Sequence, residues 1–461
     1  MSTHASPRNV AAVIAATLGS LTMLAPTQAL SFTVDNTPRS ASATTVFVTT
    51  CADSTQPGTL RNAISTATTG QVIDLGHLTC STITMDQTLG QMIANVDSLT
   101  VTSSGAMKTI DGVNKSRLIS LTGSGKLTLT NLFLTRGSVK SPTGGCVYSH
   151  GSVELVGSRI TNCFLYGTNE PIAQGGAIFA RNDVALRSSS ISQSSVFSLN
   201  VAAGGAIAAG GSVLLTVDYT VPGRGGSAIT ATSTYGNPNS TGGAISAQGV
   251  TMRRSTIERC VSSVAGAIDA DSVGIYSSTI SRNVSNGAVS IVGGVLAQTS
   301  ANVSNSTFAY NQGAKYGALR VGSQADVIIS SSIFAQSSTS TGVPIPDISQ
   351  VPSTNPPPKG IRGGSNLVQR TSVALPSDTI AADPQFGATT FCSSIAGSAL
   401  TTVHTLLPGS PALLRGFPNS TTDTDECGNS LGAAGDRVDI GALQQSSIDD
   451  QIFKNDFENH P

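Results

Sequence analysis

At 461 residues the chain is long enough for several ordinary domains, but 48 glycines, 11% charged residues, 4% aromatics and no tryptophan point to a repeat array. Such an array grows by adding units rather than cores, so its length does not count domains. Low charge with ample aliphatics argues against disorder, and a net charge of −1 with no Lys/Arg run argues against electrostatic nucleic-acid binding.

In chain order, residues 1–29 read as a signal peptide. Arg8 precedes the apolar run Val10 to Leu24, and Thr27-Gln28-Ala29 forms a small-residue cleavage site. The expected mature chain starts at Leu30 and is exported, either secreted or held at the cell surface. No later stretch is long and apolar enough for a transmembrane helix. Residues 30–82 read as an N-terminal region and cap. Thr59-Leu60-Arg61-Asn62-Ala63-Ile64 opens a short helix with Leu60, Ala63, Ile64 and Ala67 on one face. Such a helix can plug the apolar end of a solenoid.

Residues 83–341 carry internal repeats. Gly175-Gly176-Ala177-Ile178 recurs as Gly204-Gly205-Ala206-Ile207 and Gly242-Gly243-Ala244-Ile245, with weaker copies at 144, 265, 293 and 316. The intervals fall within the roughly 20–50-residue periods of repeat architectures. Between them lies Ser-Ser/Thr-Ile/Phe-x-x-Asn, as in Ser278 to Asn283 and Ser306 to Asn311; Phe197-Ser198-Leu199-Asn200 matches its end, and Cys163 and Cys260 replace the Asn. Apolar pieces such as Val273-Gly274-Ile275-Tyr276 are short and alternating, which is strand periodicity. The expected fold is all-β, a right-handed parallel β-helix of about ten coils, with like residues stacked in columns about 4.8 Å apart. Residues 342–360, rich in proline, read as an exposed loop or linker. Residues 361–445 read as an irregular C-terminal segment, and 446–461 as a tail.

The seven cysteines of an exported chain meet an oxidising compartment. Sequence does not fix connectivity. The expected pairs are Cys51–Cys80, Cys392–Cys427 and Cys146–Cys163, leaving Cys260 as a buried thiol.

The Phe-x-x-Asn and Gly-Gly-Ala-Ile pair resembles the repeat of chlamydial polymorphic outer-membrane proteins over roughly residues 144–320, with Phe197 to Ile207 the nearest copy. That resemblance implies a β-helix passenger on a bacterial surface, but the barrel strands of those proteins are missing here. Cys51 to Ser54 with Gly58 to Arg61 resembles the start of bacterial pectate-lyase-like β-helix proteins. Gly364-Ser365-Asn366-Leu367, Asp383-Pro384-Gln385-Phe386, Ser410-Pro411-Ala412-Leu413 and Asp439-Ile440-Gly441-Ala442 resemble, in order, the choice-of-anchor domain of surface β-helix proteins. Leu414 and Gln444 depart from it, standing where that family carries Asp and Glu.

Chemistry is sparse. Glycosidases need two carboxylates at a set separation, yet residues 184–325 hold only Asp218, Glu258, Asp269 and Asp271. Asp269 and Asp271 share one side of a strand and are the candidate Ca²⁺ ligands; with Arg253, Arg254, Arg259 and Arg282 they are the candidate catalytic residues of a lyase. No resident cofactor is expected. The acidic run Asp423, Asp425, Glu426, Asp436 and Asp439 reads as a solvated turn, with Ca²⁺ binding the less favoured reading. Tyr166, Tyr219, Tyr235, Tyr276 and Tyr310 suit sugar stacking if they share a face. The favoured function is a non-catalytic adhesion or glycan-binding module whose partner is a polysaccharide or cell-surface ligand. The alternatives are a polysaccharide lyase or hydrolase acting on an acidic glycan, and a passive structural surface component.

Overall fold

Alternating short strands with a bend every few residues give a chain that can only satisfy its backbone groups by stacking coil on coil, and it does so. The computed structural model describes residues 44–167, 170–220, 225–235, 238–287, 291–392, 401–418, 424–432 and 436–445. They form a parallel β-solenoid with three lateral sheets: a 19-stranded sheet A, an 11-stranded sheet B and a six-stranded sheet C, with a two-stranded sheet beside C. Sheet B has one strand per coil, so we number the coils from it, from Thr82–Thr84 in coil 1 to Leu367–Val368 in coil 11. Every pairing within these sheets is parallel and joins one coil to the next. Among the described residues no helix is long and apolar enough to cross a membrane.

The core is a set of stacked columns. Ile160, Ile191, Ile229, Ile257 and Ile280 lie opposite one another along sheet B, followed by Phe308 and Phe334. All are buried, and the two Phe rings stack with centroids 4.5 Å apart. A buried serine ladder runs beside them at the corner between sheets A and B. The amide N–H of Ser189 donates to Ser227 Oγ, Ser227 to Ser255, Ser255 to Ser278, Ser278 to Ser306 and Ser306 to Ser332, at 3.2–3.3 Å. Asn366 Oδ1 receives the last N–H, that of Ser332, at 3.0 Å. The corner residues Ser188, Arg254, Ser277, Asn305 and Ser331, each just before one of these serines, have positive φ and still donate their N–H to a carbonyl of the next coil, whereas the serine N–H that follows meets a hydroxyl instead of a carbonyl. The serines restore the lost acceptors. Asn283 and Asn311 do the same at the next corner: Asn283 Oδ1 accepts from Cys260 N and Asn311 Oδ1 from Asn283 N.

The paired glycines have separate tasks. Gly204 adopts φ of +65°, and a Cβ on Gly205 would stand 2.2 Å from the carbonyl oxygen of Gly243 in the next coil. The first allows the bend, and the second allows close stacking.

At the N-terminal end the helix Leu60–Ser65 is capped by Thr59 and buries Leu60 and Ile64 against the first coil. Arg61 pairs with Asp53 at 2.7 Å and donates to the Leu89, Gly90 and Gln91 carbonyls. Strands Thr45–Phe47 and Gln71–Asp74 pair on either side of this helix, so sheet A already begins within the N-terminal region. Disulfides join Cys51–Cys80, Cys146–Cys163 and Cys392–Cys427, and Cys260 is a buried free thiol.

The Pro-rich stretch departs from the exposed loop expected of it. Ile348–Gln350 pairs in parallel with Leu319–Val321, and Asp347 and Ile348 are fully buried. The prolines lie before and after this strand, which keeps every N–H that the pairing uses. The C-terminal segment also does more than trail from the last coil. An antiparallel pair, Phe386–Cys392 and Thr401–Leu406, with the turns around it, folds back over the outer face of sheet B. Leu406, Ala412 and Ile440 close over Ile333, Ala335 and Leu367.

Candidate functional site

Sheet C carries the exposed feature. Its strands Phe164–Gly167, Ser195–Ser198 and Ser233–Tyr235 alternate inward and outward. Leu165 and Val196 point in, to a small cluster with Ala173 and Ala202. The outward residues are in register across consecutive coils: Lys140 opposite Tyr166, Tyr166 opposite Phe197, and Phe197 opposite Tyr235. The three rings are 43%, 46% and 51% exposed, against a general tendency for aromatics to be covered. The Tyr166 and Phe197 centroids are 6.5 Å apart. Ile172 and Leu199 extend the apolar surface beside them. Along all six strands of sheet C, Lys140 is the one charged residue.

Phe197 corrects one sequence expectation. Phe197 to Asn200 looks like the end of the Ile/Phe-x-x-Asn repeat, but its phenyl ring points to solvent and Asn200 is exposed. The true repeat unit of that coil is Ser189 to Ser194, whose Ile191 occupies the inward column. The tyrosines also divide. Tyr166 and Tyr235 share the ladder. Tyr276 lies on sheet A beneath the Arg253 guanidinium, 4.5 Å from its ring centroid. Tyr310 packs under the C-terminal segment, 5.7 Å from Phe386 and 5.4 Å from His404. Tyr219 is 66% exposed in the turn after Ser212–Thr216.

The lyase candidates are not brought together. Asp269 and Asp271 do share the outer face of sheet A, at the start of strand Ile268–Tyr276. Asp269 accepts a hydrogen bond from Thr241 Oγ1 at 2.8 Å. Burial pushes its carboxyl up, the Thr241 hydroxyl opposes that, and Asp271 adds to the rise. Ser246 lies opposite Asp269, and Arg253 is seven residues further along that strand, about 20 Å away. Arg254, Arg259 and Arg282 take positive φ at the corners bounding sheet B, and their side chains are engaged there. Arg254 Nε donates to the Glu426 carbonyl at 3.5 Å. Arg282 lies 3.8 Å from Glu258 and over the Tyr310 ring, and Arg259 is 3.9 Å from Glu258. Among the described residues no group of three or more His, Cys, Asp or Glu side chains could hold a metal ion.

Most of the acidic run 423–439 also differs from a solvated turn, although Asp436 is exposed. Asp423 lies outside the described residues. Asp425, Glu426 and Asp439 are fully buried. Asp425 accepts from Asn429 N and Nδ2 and from Gln444 N. Asp439 accepts from Leu414 N and Gln445 N, and Gln444 Oε1 accepts from Asp439 N. Leu414 and Gln444, the two positions that depart from the anchor-type pattern, therefore both contact Asp439. The four anchor-type motifs converge on coils 9 to 11. Asn366 ends the serine ladder, Ser410 Oγ donates to Pro384 O at 2.6 Å, and Gly441 N donates to Ser331 O at 2.9 Å. They build the packing of this segment against sheet B.

No family model matches the sequence, and no curated protein matches it. Among solved structures the chain is similar to the crystal structure of pectate lyase Pel9A, at 14% identity and a TM-score of 0.48, over 88% of this chain and 97% of that one. The fold described above rests on strand register alone.

Proposed function

We propose that this solenoid is a non-catalytic adhesion module that binds neutral glycan chains along the aromatic ladder of sheet C. The carrying observation is the register of Tyr166, Phe197 and Tyr235, three exposed rings at one-coil spacing on a nearly uncharged face. Exposed aromatic patches in soluble proteins mark interaction surfaces. Sugar rings present C–H faces that stack on aromatics, and successive coils supply rungs about 4.8 Å apart along the solenoid axis. A neutral polymer lying parallel to that axis meets one ring after another without burying an unpaired charge. The separation of Asp269 and Asp271 from the arginines supports binding over turnover. Three disulfides support export to an oxidising compartment, as a secreted or surface protein.

The test is affinity electrophoresis and calorimetry of the purified chain against neutral glycans and polyuronides, with products followed in parallel. Removing one ring of a three-ring platform is expected to weaken binding about tenfold, about 1.4 kcal/mol. Phe197→Ala, in the middle, should cost most. Binding unchanged in Phe197→Ala and Tyr166→Ala would refute the ladder. Release of unsaturated sugars that stops in Asp269→Ala would make the protein a lyase instead.

A further inference from the structure

The contact between the C-terminal segment and sheet B contains a carboxyl group with no charged partner on its oxygens. Glu426 is fully buried. Its Oε1 is 2.6 Å from Thr256 Oγ1 and its Oε2 is 2.5 Å from Thr279 Oγ1, hydroxyls on neighbouring strands in coils 7 and 8. The Arg254 guanidinium beside it reaches the backbone carbonyl, and the ion pairs of the described residues do not include Glu426. Two hydroxyl donors are little compensation for a carboxylate removed from water.

The neighbouring hydrogen bonds fix where a proton belongs. Thr256 Oγ1 accepts from Thr402 N at 3.1 Å and lies 3.3 Å from Thr402 O. If Glu426 carries its proton on Oε1, that O–H donates to Thr256 Oγ1, and the Thr256 hydroxyl donates on to Thr402 O. Thr279 donates to Oε2. Every group then has a partner. If Glu426 is ionised, the Thr256 hydroxyl must turn to Oε1, the Thr402 carbonyl loses its donor, and a bare charge is buried between two layers.

We propose that Glu426 is a carboxylic acid in the docked protein, and that its proton latches the C-terminal segment onto sheet B, so that the segment lifts from coils 7 and 8 when the proton is lost. Burial raises the carboxyl well above the ordinary 4.5, Asp425 adds to that, and the two threonines and Arg254 oppose it. The raised value sets the sign: docking is fully supported below 4.5 and weakens as pH rises through the value in the docked state. The other titratable groups facing this contact are Asp425, held by Asn429 and Gln444 and raised by burial, Glu258, which accepts from Thr402 Oγ1 at 3.3 Å, Arg254, Arg282 over the Tyr310 ring, Tyr310, raised by burial from 10, and His404 on strand Thr401–Leu406. Burial and Arg282 lower His404 from 6.5 to about 4, so its reluctance to charge opposes docking only as pH falls below 6.5. The Glu426 dependence is therefore read above that pH. The Cys392–Cys427 disulfide ties strand Phe386–Cys392 to the residue beside the latch, so the segment moves as a unit.

The experiment is hydrogen exchange of amides Thr401 to Leu406, corrected for intrinsic rates, on the full chain from pH 7 to 10. Infrared spectra at pH 7 accompany it. The wild type is expected to lose protection with rising pH, by up to tenfold per pH unit while docked Glu426 keeps its proton, and to level off once it ionises in the docked state. It should also show a protonated-carboxyl C=O stretch. Glu426→Gln reproduces the protonated pattern, its amide N–H₂ donating to Thr256 and its oxygen accepting from Thr279. It should fold, show a weaker band and lose the part of the pH dependence that Glu426 supplies. Equal pH profiles for wild type and Glu426→Gln, or a protonated-carboxyl band of equal intensity in the two, would overturn the proposal. The wild-type exchange profile decides even if the variant folds poorly: protection that does not fall between pH 7 and 10 would overturn the latch.

Discussion

Replacing Ser278 with alanine tests whether the serine ladder holds the coils in place. Ser278 Oγ accepts the Ser255 N–H from the coil below at 3.2 Å and donates to Tyr276 O at 2.7 Å. Alanine fills nearly the same volume and leaves backbone geometry alone, so the loss falls on one buried N–H, since the Tyr276 carbonyl keeps the Arg254 N–H as donor. Ser255 and Ser278 are both fully buried, and the deleted hydroxyl leaves less room than a water needs, so solvent cannot replace it. An unsatisfied buried donor costs about 1–3 kcal/mol. Guanidinium unfolding followed by circular dichroism, with Ser340→Ala as the exposed control, measures the loss. The control is expected within about 0.5 kcal/mol of wild type. Ser278→Ala indistinguishable from Ser340→Ala would refute the ladder as a source of stability and leave it a by-product of coil stacking.

Other outcomes follow from the same contacts. His404, 4% exposed and with no hydrogen-bond partner on Nε2 among the described residues, is lowered from 6.5 to about 4 by burial and Arg282. Its contribution is complete above 6.5 and lost as pH falls toward 4, so His404→Phe should reduce the acid loss of stability by up to about 3 kcal/mol, measured as the difference in unfolding midpoints at pH 7 and pH 4. Cys260 is fully buried and its thiol is pushed up to about 11, chiefly by burial, so a thiol reagent should leave native protein unmodified and label one site after unfolding with the disulfides intact. Gly205→Ala would set a Cβ 2.2 Å from the Gly243 carbonyl oxygen and 2.6 Å from Ser233 N, all backbone, and should destabilise by about 3 kcal/mol or more. Gly70→Ala, with open space but φ of +81°, should cost only about 1 kcal/mol in the same titration.

Two misreadings show how far local pattern reaches. Phe197 to Asn200 matches the repeat as a string, but an Ile/Phe position can point into sheet B or out of sheet C, and only strand pairing tells which. The same ambiguity hides the ladder: along the chain Tyr166 and Tyr235 stand as isolated residues, and Phe197 reads as part of a repeat motif. Of the arginines near Asp269 in sequence, Arg253 stays on sheet A at the far end of its strand and Arg254, Arg259 and Arg282 sit at the corners bounding sheet B, so proximity along the chain became separation in space.

The sequence by itself determined the class of fold, because strand-length apolar pieces, recurring glycine pairs and stacked Ile positions can be satisfied only by coils that repeat in register. It also determined the inward columns, since each column is a local alternation repeated. Only the tertiary structure decided what lies on the outside. Register across coils 4, 5 and 6 aligned three aromatic rings, and the fold-back of the C-terminal segment buried Asp425, Glu426 and Asp439, which as a string read as a solvated turn. The physical reason is one of range. Core alternation is set by neighbours within a strand, whereas an outer face is set by residues a full coil or more away.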